Sequence, residues 1–380
     1  GTAWVQPPVV FTRNDGNLTH CEVLLGIGPM ERVHKVLVNG VEIPLGVTGR
    51  DMTATGWYNV VSLGTRNGGF NLNFRDQNGA PLGDPHGSIG ILAVAVPNRL
   101  NDGRTAPRVA ALVDGLRLAR FDLEGNALEA EFTRNPAWVL LDLLRRSGWR
   151  LEEIDVRSFA RAAQRCDTVI TAKDGNGNAV QTRLFECNLA VTSRRSAAEL
   201  VRGVRLASAM LLTFNADGKL ELRPETAMAG QQPVKPASSN STEPWNGGWP
   251  AFEFGDGANG TTGILRRPNG EPSLRWRSRG IGECANRLSV EFQNAFNEYQ
   301  QDGVSLVDHD DVEAAGHELS AALPALGLPN LDQAARVTRF HLMKGLQGNE
   351  YAEFETSVEA LGLRPGDLIT LTYLKDGVER

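Results

Sequence analysis

Several short constellations in this 380-residue chain carry residue types that could do chemistry. Asp174-Gly175-Asn176-Gly177-Asn178 has the alternating oxygen donors that open a calcium loop. The glycine due at the sixth position of such a loop is Ala179, and the bidentate glutamate due at the twelfth is Phe185. The stretch therefore reads as a hairpin turn. Asp308-His309-Asp310-Asp311, with Glu313 and His317 nearby, offers metal-ligand types without ligand spacing. Acidic residues at a helix start, favoured by the helix dipole, account for it more simply. His86-Gly87-Ser88-Ile89-Gly90 lacks the first glycine of a nucleophile elbow. Gly26-Ile27-Gly28 lacks the third glycine of a dinucleotide fingerprint. Cys187 has no histidine close in sequence to take its proton, and its alternating surroundings read as a core strand. His341, between Phe340 and Leu342, reads as a packed or rim histidine. None of these is a complete catalytic, cofactor or metal site, so no catalytic residue, cofactor or metal is assigned.

The remaining candidates are aromatic. Residues 226–283 form a long segment rich in Gly, Pro, Asn and Ser that nonetheless holds Trp245, Trp249, Phe252, Phe254 and Trp276. Loops of this length are functional or disordered, and disorder is poor in aromatics. As a partner-binding surface these rings would supply hot spots. Folded back on their own domain they would make a small core. Composition and position between two readable strands predict an insertion that could be excised.

The surrounding elements follow from periodicity. Residues 1–134 read as a β-barrel or sandwich: Phe70, Leu72 and Phe74 alternate with polar neighbours, and Ile89, Ile91, Ala93 and Ala95 form another face. Asp15-Gly16, Asn39-Gly40, Asn67-Gly68-Gly69 and Asn78-Gly79 mark turns between strands. Residues 135–225 read as a small α/β domain. Asn135 caps a helix with Pro136 at its first position, a stripe of Leu140, Leu143, Leu144 and Ser147, and Gly148 at its end. A helix over 157–165, a strand over 183–191 and a helix from Ser196, with Glu199 at capping-box spacing, come next. Leu212 and Phe214 pair with Leu220 and Leu222 across an Asn215–Gly218 turn. Residues 284–380 return to β structure with helices inserted over 309–348. Asn330 and Gln333 start one helix, with Leu331, Ala335, Thr338, Leu342 and Leu346 as its stripe, and a strand runs from Tyr351 to Leu361.

Composition narrows the function. The 41 glycines among 380 residues exceed the usual ~7% and favour a turn-rich, β-rich α+β chain. Net charge is −6 with no basic run, which argues against sequence-specific nucleic-acid binding. No stretch approaches the ~18 consecutive apolar residues of a membrane span, so no transmembrane segment is expected. Cys21, Cys166, Cys187 and Cys284 lie far apart and read as free thiols made in a reducing cytoplasm.

A family resemblance joins these pieces. Asn135-Pro136-Ala137-Trp138-Val139-Leu140-Leu141-Asp142-Leu143-Leu144 follows a β-rich region closing on Phe121–Asn126. Later come Asn286-Arg287-Leu288-Ser289-Val290-Glu291-Phe292, then Asn297-Glu298-Tyr299. Gln333-Ala334-Ala335-Arg336 and Pro365-Gly366-Asp367-Leu368-Ile369 complete the series. In this order they resemble the tail-tip attachment proteins of lambda-like phages, within the wider group of tail and baseplate hub proteins. The resemblance covers roughly residues 105–225 and 284–373 and fails across 226–283. It implies tube-like β-barrel domains combined with small α/β domains, two barrels per chain, and a homotrimer that forms a pseudo-sixfold ring. It implies a structural, non-enzymatic role at the tail tip of a virion assembled in the bacterial host cytoplasm, and a chain trimmed from something longer. Implied partners are distal tail ring and tail tube proteins, the tape-measure protein, and tip or fibre components. A mildly acidic lumen would suit DNA passage, since a basic lining holds phosphates. The alternatives are a tail-associated cell-wall hydrolase, which needs two convergent carboxylates or a Cys/His pair, and a carbohydrate-binding β-sandwich module, which needs an exposed Trp platform.

Overall fold

A computed structural model describes residues 1–46, 52–65, 71–75, 78, 81–82, 88–102, 104–174, 176–257, 262–280, 282–375 and 378–379. For 71–75, 81–82 and the residues after 373, the description is of backbone alone. Phe70 and His86-Gly87 thus lie outside the described residues, as do the side chains of Leu72 and Phe74. Strand accounts for 38% of the chain and helix for 20%, so the fold is α+β and β-rich as composition predicts.

The first unit contains β1 (Thr2–Val5), β2 (Val9–Asn14), β3 (Leu18–Ile27), β4 (Met30–Val38), β5 (Val41–Ile43) and β6 (Trp57–Leu63). It continues with β7 (Asn71–Arg75), β8 (Pro81–Leu82), β9 (Ile89–Pro97), β10 (Val109–Phe121) and β11 (Ala127–Phe132). One sheet has the order β1-β10-β4-β5, with β11 also on β10; the other is β2-β3-β9-β6. Cys21, Val23, Val36, Val38, Leu92, Val94, Val96, Val109, Ala111 and Val113 meet between them. Residues two apart on a strand share a face, so the inner face of β9 is 92, 94 and 96. The predicted face of Ile89, Ile91, Ala93 and Ala95 is the other one. β9 lies between two neighbours and is buried on both faces, which removes the alternation that marks a half-exposed strand.

Among the described strands the two sheets form a sandwich and do not close into a barrel. One edge is stitched: Tyr58 N–H donates to Pro44 C=O at 3.0 Å, and Gly46 N–H donates to Tyr58 C=O at 2.8 Å.

The second unit carries α1 (Pro136–Arg146), α2 (Val156–Cys166) and α3 (Ala197–Ala207) with hairpins β12 (Val169–Lys173)–β13 (Ala179–Arg183) and β14 (Met210–Phe214)–β15 (Leu220–Pro224). The predicted strand over 183–191 ends at Arg183. From Leu184 the backbone instead bonds outwards, to Thr168, Cys166, Arg134 and Gly327. Cys187 therefore sits in irregular chain, not in an alternating strand. The Asp174 turn is as expected: its carboxylate accepts from Asn176 N–H at 2.9 Å and Asn178 N–H at 2.8 Å.

A short α4 (Met228–Gln231) leads to β16 (Glu253–Gly255) and β17 (Arg275–Ser278). Then come β18 (Arg287–Asn294), β19 (Gln300–Val307), α5 (His309–Ala315), β20 (Ser320–Ala322), α6 (Leu331–Gln347), β21 (Glu350–Glu353) and β22 (Thr370–Thr372). The largest core runs through both the 135–225 and 284–347 stretches: Trp138, Leu140, Phe159 and Val204 pack with Val290, Phe292 and Val337. The smaller third core, Phe252, Phe254, Ile264 and Ala360, draws on both the aromatic segment and the tail end of the chain. Two predictions shift here. The strand expected to Leu361 stops at Glu353, because Ser357 starts a 3-10 turn over Val358–Ala360 by accepting from Glu359 N–H. The buried stripe of α6 is Ala334, Val337, Thr338 and Leu342, while Leu331 is exposed.

Candidate functional site

The residues that carry the family resemblance are joints between units. Asn135 caps α1 by accepting from Ala137 N–H at 3.0 Å, and its amide donates to Ala163 C=O at 2.8 Å, tying α1 to α2. Trp138 beside it is buried against Phe121, at the end of β10. Asn286 accepts from Leu319 N–H at 2.7 Å and donates to Asp311 and to His317 C=O. Gln333, 1% exposed on α6, accepts from Glu186 N–H at 2.9 Å and donates to Glu186 C=O at 3.0 Å and Ala207 C=O at 3.1 Å. A buried amide satisfied on every side fixes a unique docking geometry. Arg336, one turn on, donates to Leu184 C=O at 2.8 Å and stacks over Phe185.

The Pro365-Gly366-Asp367 turn forms another joint. Gly366 has φ +88°, a conformation open to glycine and costly for other residues. Asp367 accepts from Arg223 at 2.7 Å, both side chains being about nine-tenths buried, and Arg364 bonds Glu221 at 2.8 Å. These pairs dock on β15 the third unit, the part of the chain built on the Phe252–Ala360 core with the β16–β22 and β17–β21 pairings.

A further joint uses Asn297-Glu298-Tyr299, the tip of the β18–β19 hairpin. Glu298 and Tyr299 both have left-handed backbone, at φ +48° and +59°. Trp4 Nε1 donates to Glu298 C=O at 2.7 Å, Lys35 approaches the Glu298 carboxylate at 3.5 Å, and Arg134 donates to the Tyr299 hydroxyl at 3.3 Å. Sequence reasoning found the tripeptide but not its role, because Trp4, Lys35 and Arg134 lie far away in the chain. Close by, Asp114 accepts from Thr2 Oγ1 at 2.5 Å, Arg32 Nε at 2.9 Å and His34 Nε2 at 2.9 Å. Burial alone would raise its carboxyl, but the bonds from Thr2, His34 and Arg32 together outweigh burial and hold it below the ordinary range.

The five aromatic candidates do not form one platform. Phe252 and Phe254 are buried with ring centroids 4.5 Å apart, and Phe254 meets Phe354 at 4.8 Å. Trp249 is half-buried under Lys235, Trp276 is half-buried on β17, and Trp245 stands out at 58% exposure. β16 pairs with β22 and β17 with β21, so the segment is built into the third unit. The expectation that it could be excised is thereby corrected: Phe252, Phe254 and Ile264 are core.

The remaining constellations lack reactive geometry. Asp308 caps α5 by accepting from Asp311 N–H, and no group of three metal-ligating side chains comes together among the described residues. Burial pushes the Cys187 thiol up to about 11 and raises that of Cys166. His341 bonds Leu206 C=O at 3.0 Å, and burial lowers its pKa. A cleft of about 790 Å³ lies between the sandwich and helices α1 and α3, lined by Val5, Leu25, Met30, Val139, Leu143 and Leu200 among others. Its carboxylate, Asp142, is held by Arg146 at 2.7 Å. A second cleft of about 740 Å³ holds Glu225 and Asp367, already paired with Lys344 and Arg223. No helix among the described residues is long and apolar enough to cross a membrane.

The chain is β-rich, its distinguishing residues hold units together, and the carboxylates of its two clefts are paired with arginine or lysine. Residues 261–378 match the family model described as "Putative phage tail protein", so the resemblance to phage tail proteins is shown. A solved chain from the virion of a native gene transfer agent particle has a similar fold, with a TM-score of 0.63. The match covers 98% of this chain and 77% of that one at 15% sequence identity. No curated protein matches the chain.

Proposed function

We propose that this phage-tail-type virion protein is a hub at the distal end of a phage or prophage-derived tail. It forms a homotrimeric ring joining the tail tube to the tip or host-attachment apparatus, and DNA passes through it. The observation that carries this reading is the match of residues 261–378 to the tail-protein family, in a chain 98% of which follows the fold of a virion chain. The joints support it, since a ring that transmits load needs units that do not swing. Partners on this reading are the distal tail ring and tube proteins, the tape-measure protein and tip or fibre components. The role is structural and non-enzymatic. Chemical crosslinking of the concentrated chain, resolved by mass, tests the ring. Trimers as the largest closed species are expected; dimers alone would refute it. Incubation with peptidoglycan and with generic ester and glycoside substrates should give background rates. A rate abolished by one carboxylate or cysteine substitution would establish the hydrolase alternative instead.

A further inference from the structure

Seven Asn-Gly pairs punctuate this chain, and four of them, at Asn39, Asn176, Asn246 and Asn269, are described together with the glycine that follows. The other three, at 67–68, 78–79 and 259–260, lie wholly or partly outside the described residues. In such a pair the asparagine carboxamide stands next to a backbone N–H that no Cβ shields. The nitrogen can close on the side-chain carbon if both groups are free and the backbone can turn. The fold treats the four pairs differently.

Asn39-Gly40 and Asn246-Gly247 are built alike. Both are two-residue turns with left-handed backbone at each position, φ +49° and +84° in the first and +47° and +79° in the second. Ring closure requires either turn to open, so the shared geometry cancels between them. Their anchoring does not cancel. The Asn39 carboxamide donates to Leu100 C=O at 2.7 Å and accepts from Arg108 N–H at 3.0 Å, and the β4–β5 ladder continues behind it from Val38 to Val36. The Asn246 turn is closed by a single isolated bridge between Trp245 and Gly248. Among the described residues no hydrogen bond reaches the Asn246 carboxamide or the Gly247 N–H, and both residues are exposed. Opening there is a local event.

The remaining pairs are blocked at the nitrogen. Gly177 N–H donates to Asp174 C=O at 3.0 Å, and Gly270 N–H donates to Arg267 C=O at 2.8 Å. The Asn269 carboxamide is engaged as well, donating to the Glu271 carboxylate at 2.9 Å and accepting from Glu271 N–H at 3.1 Å.

We propose that Asn246 is a site of spontaneous deamidation, the fastest of these four, which converts the exposed Trp245 turn from neutral to acidic as the protein ages. The Gly247 nitrogen bonds to Asn246 Cγ, the Cγ–Nδ2 bond breaks, and ammonia leaves with the Gly247 proton. Water then opens the cyclic imide at either carbonyl, giving aspartate or isoaspartate. Water is the only co-reactant. Isoaspartate runs the backbone through the side chain and lengthens it by a methylene, which a two-residue turn does not accommodate. Trp249 N–H, on Gln232 C=O at 2.8 Å, pins the chain just beyond the turn, so the change stays at the tip that carries Trp245, 58% exposed.

The test is peptide mapping by mass of the full chain, held folded at mildly alkaline pH for increasing times in heavy-oxygen water, which marks each new carboxylate. Asn246 should convert roughly tenfold or more faster than Asn39, the factor expected when two side-chain hydrogen bonds must first break. The chain unfolded in guanidinium should lose that ordering. Asn246→Gln should remove the fast site, and an unchanged melting curve serves as its folding control. In the aged chain, amides of 245–248 should exchange faster while those of β16 keep their protection. Conversion of Asn39, Asn176 or Asn269 in the folded chain as fast as Asn246 overturns the proposal. So does an ordering that survives in guanidinium, which would assign the rates to local sequence and not to the fold. Unchanged exchange at 245–248 overturns the effect on the turn.

Discussion

The central unit and the third unit are built differently. The central core spans α1, α2, α3, β18 and α6, and the buried amides of Gln333 and Asn135 each make hydrogen bonds that tie its elements together. The third unit rests on four fully buried apolar residues, Phe252, Phe254, Ile264 and Ala360, held together by two-stranded pairings. It leaves Val234 at 76%, Trp245 at 58%, Val358 at 79% and Leu361 at 82% exposure. A large core with satisfied joints resists deformation, whereas a small core with open edges offers surface. The contrast teaches that one chain combines both kinds of packing, with the buried Arg223–Asp367 pair joining the two parts.

Substitutions sharpen or break this contrast. Phe159→Ala, at a fully buried position in the central core, should cost about 3–5 kcal/mol and lower the main thermal transition of the whole chain. Phe254→Ala removes a ring of the same size, but its loss should stay local: hydrogen exchange should accelerate over 250–280 and 350–372 while α1 and α2 keep their protection. Global unfolding in the second variant would erase the distinction. Gln333→Ala leaves Glu186 N–H and two carbonyls unpaired, at a cost of about 1–3 kcal/mol, read from urea midpoints.

The smallest effect is a pH dependence in the first unit. The Asp114 carboxyl titrates lower in the fold than its ordinary value of 3.8. A depressed folded pKa contributes stability above the unfolded pKa, and that stability is lost as pH falls through the folded one. Stability should therefore decline below about pH 4, and Asp114→Asn should flatten that decline in acid melting curves. An unchanged acid limb would show that Asp114 is not the group responsible.

Local signals were legible in the sequence and long-range ones were not. The caps at Asn135, Ser196 and Asn330 were read correctly, because a cap is decided within three residues. The β14–β15 hairpin was read to its register for the same reason. The face of β9 was misread because burial on both sides leaves no alternation. The end of β21 was misread because an alternating string continues past the point where β17, its partner, stops. The aromatic segment looked detachable because β22, which completes its core, lies more than a hundred residues away. The motifs that suggested a tail protein were visible as strings. Their work as joints was invisible, since Gln333 meets Glu186, and Asp367 meets Arg223, only once the chain has folded.

The central claim is that this chain forms a threefold hub whose rigid units frame a channel. Imaging assembled tails that carry the chain, with averaging over the distal end, tests it most directly. The account predicts threefold density at the tip, each copy filled by this fold, around an opening continuous with the tube. Density for the chain along the shaft, or a twofold particle without a channel, would contradict it.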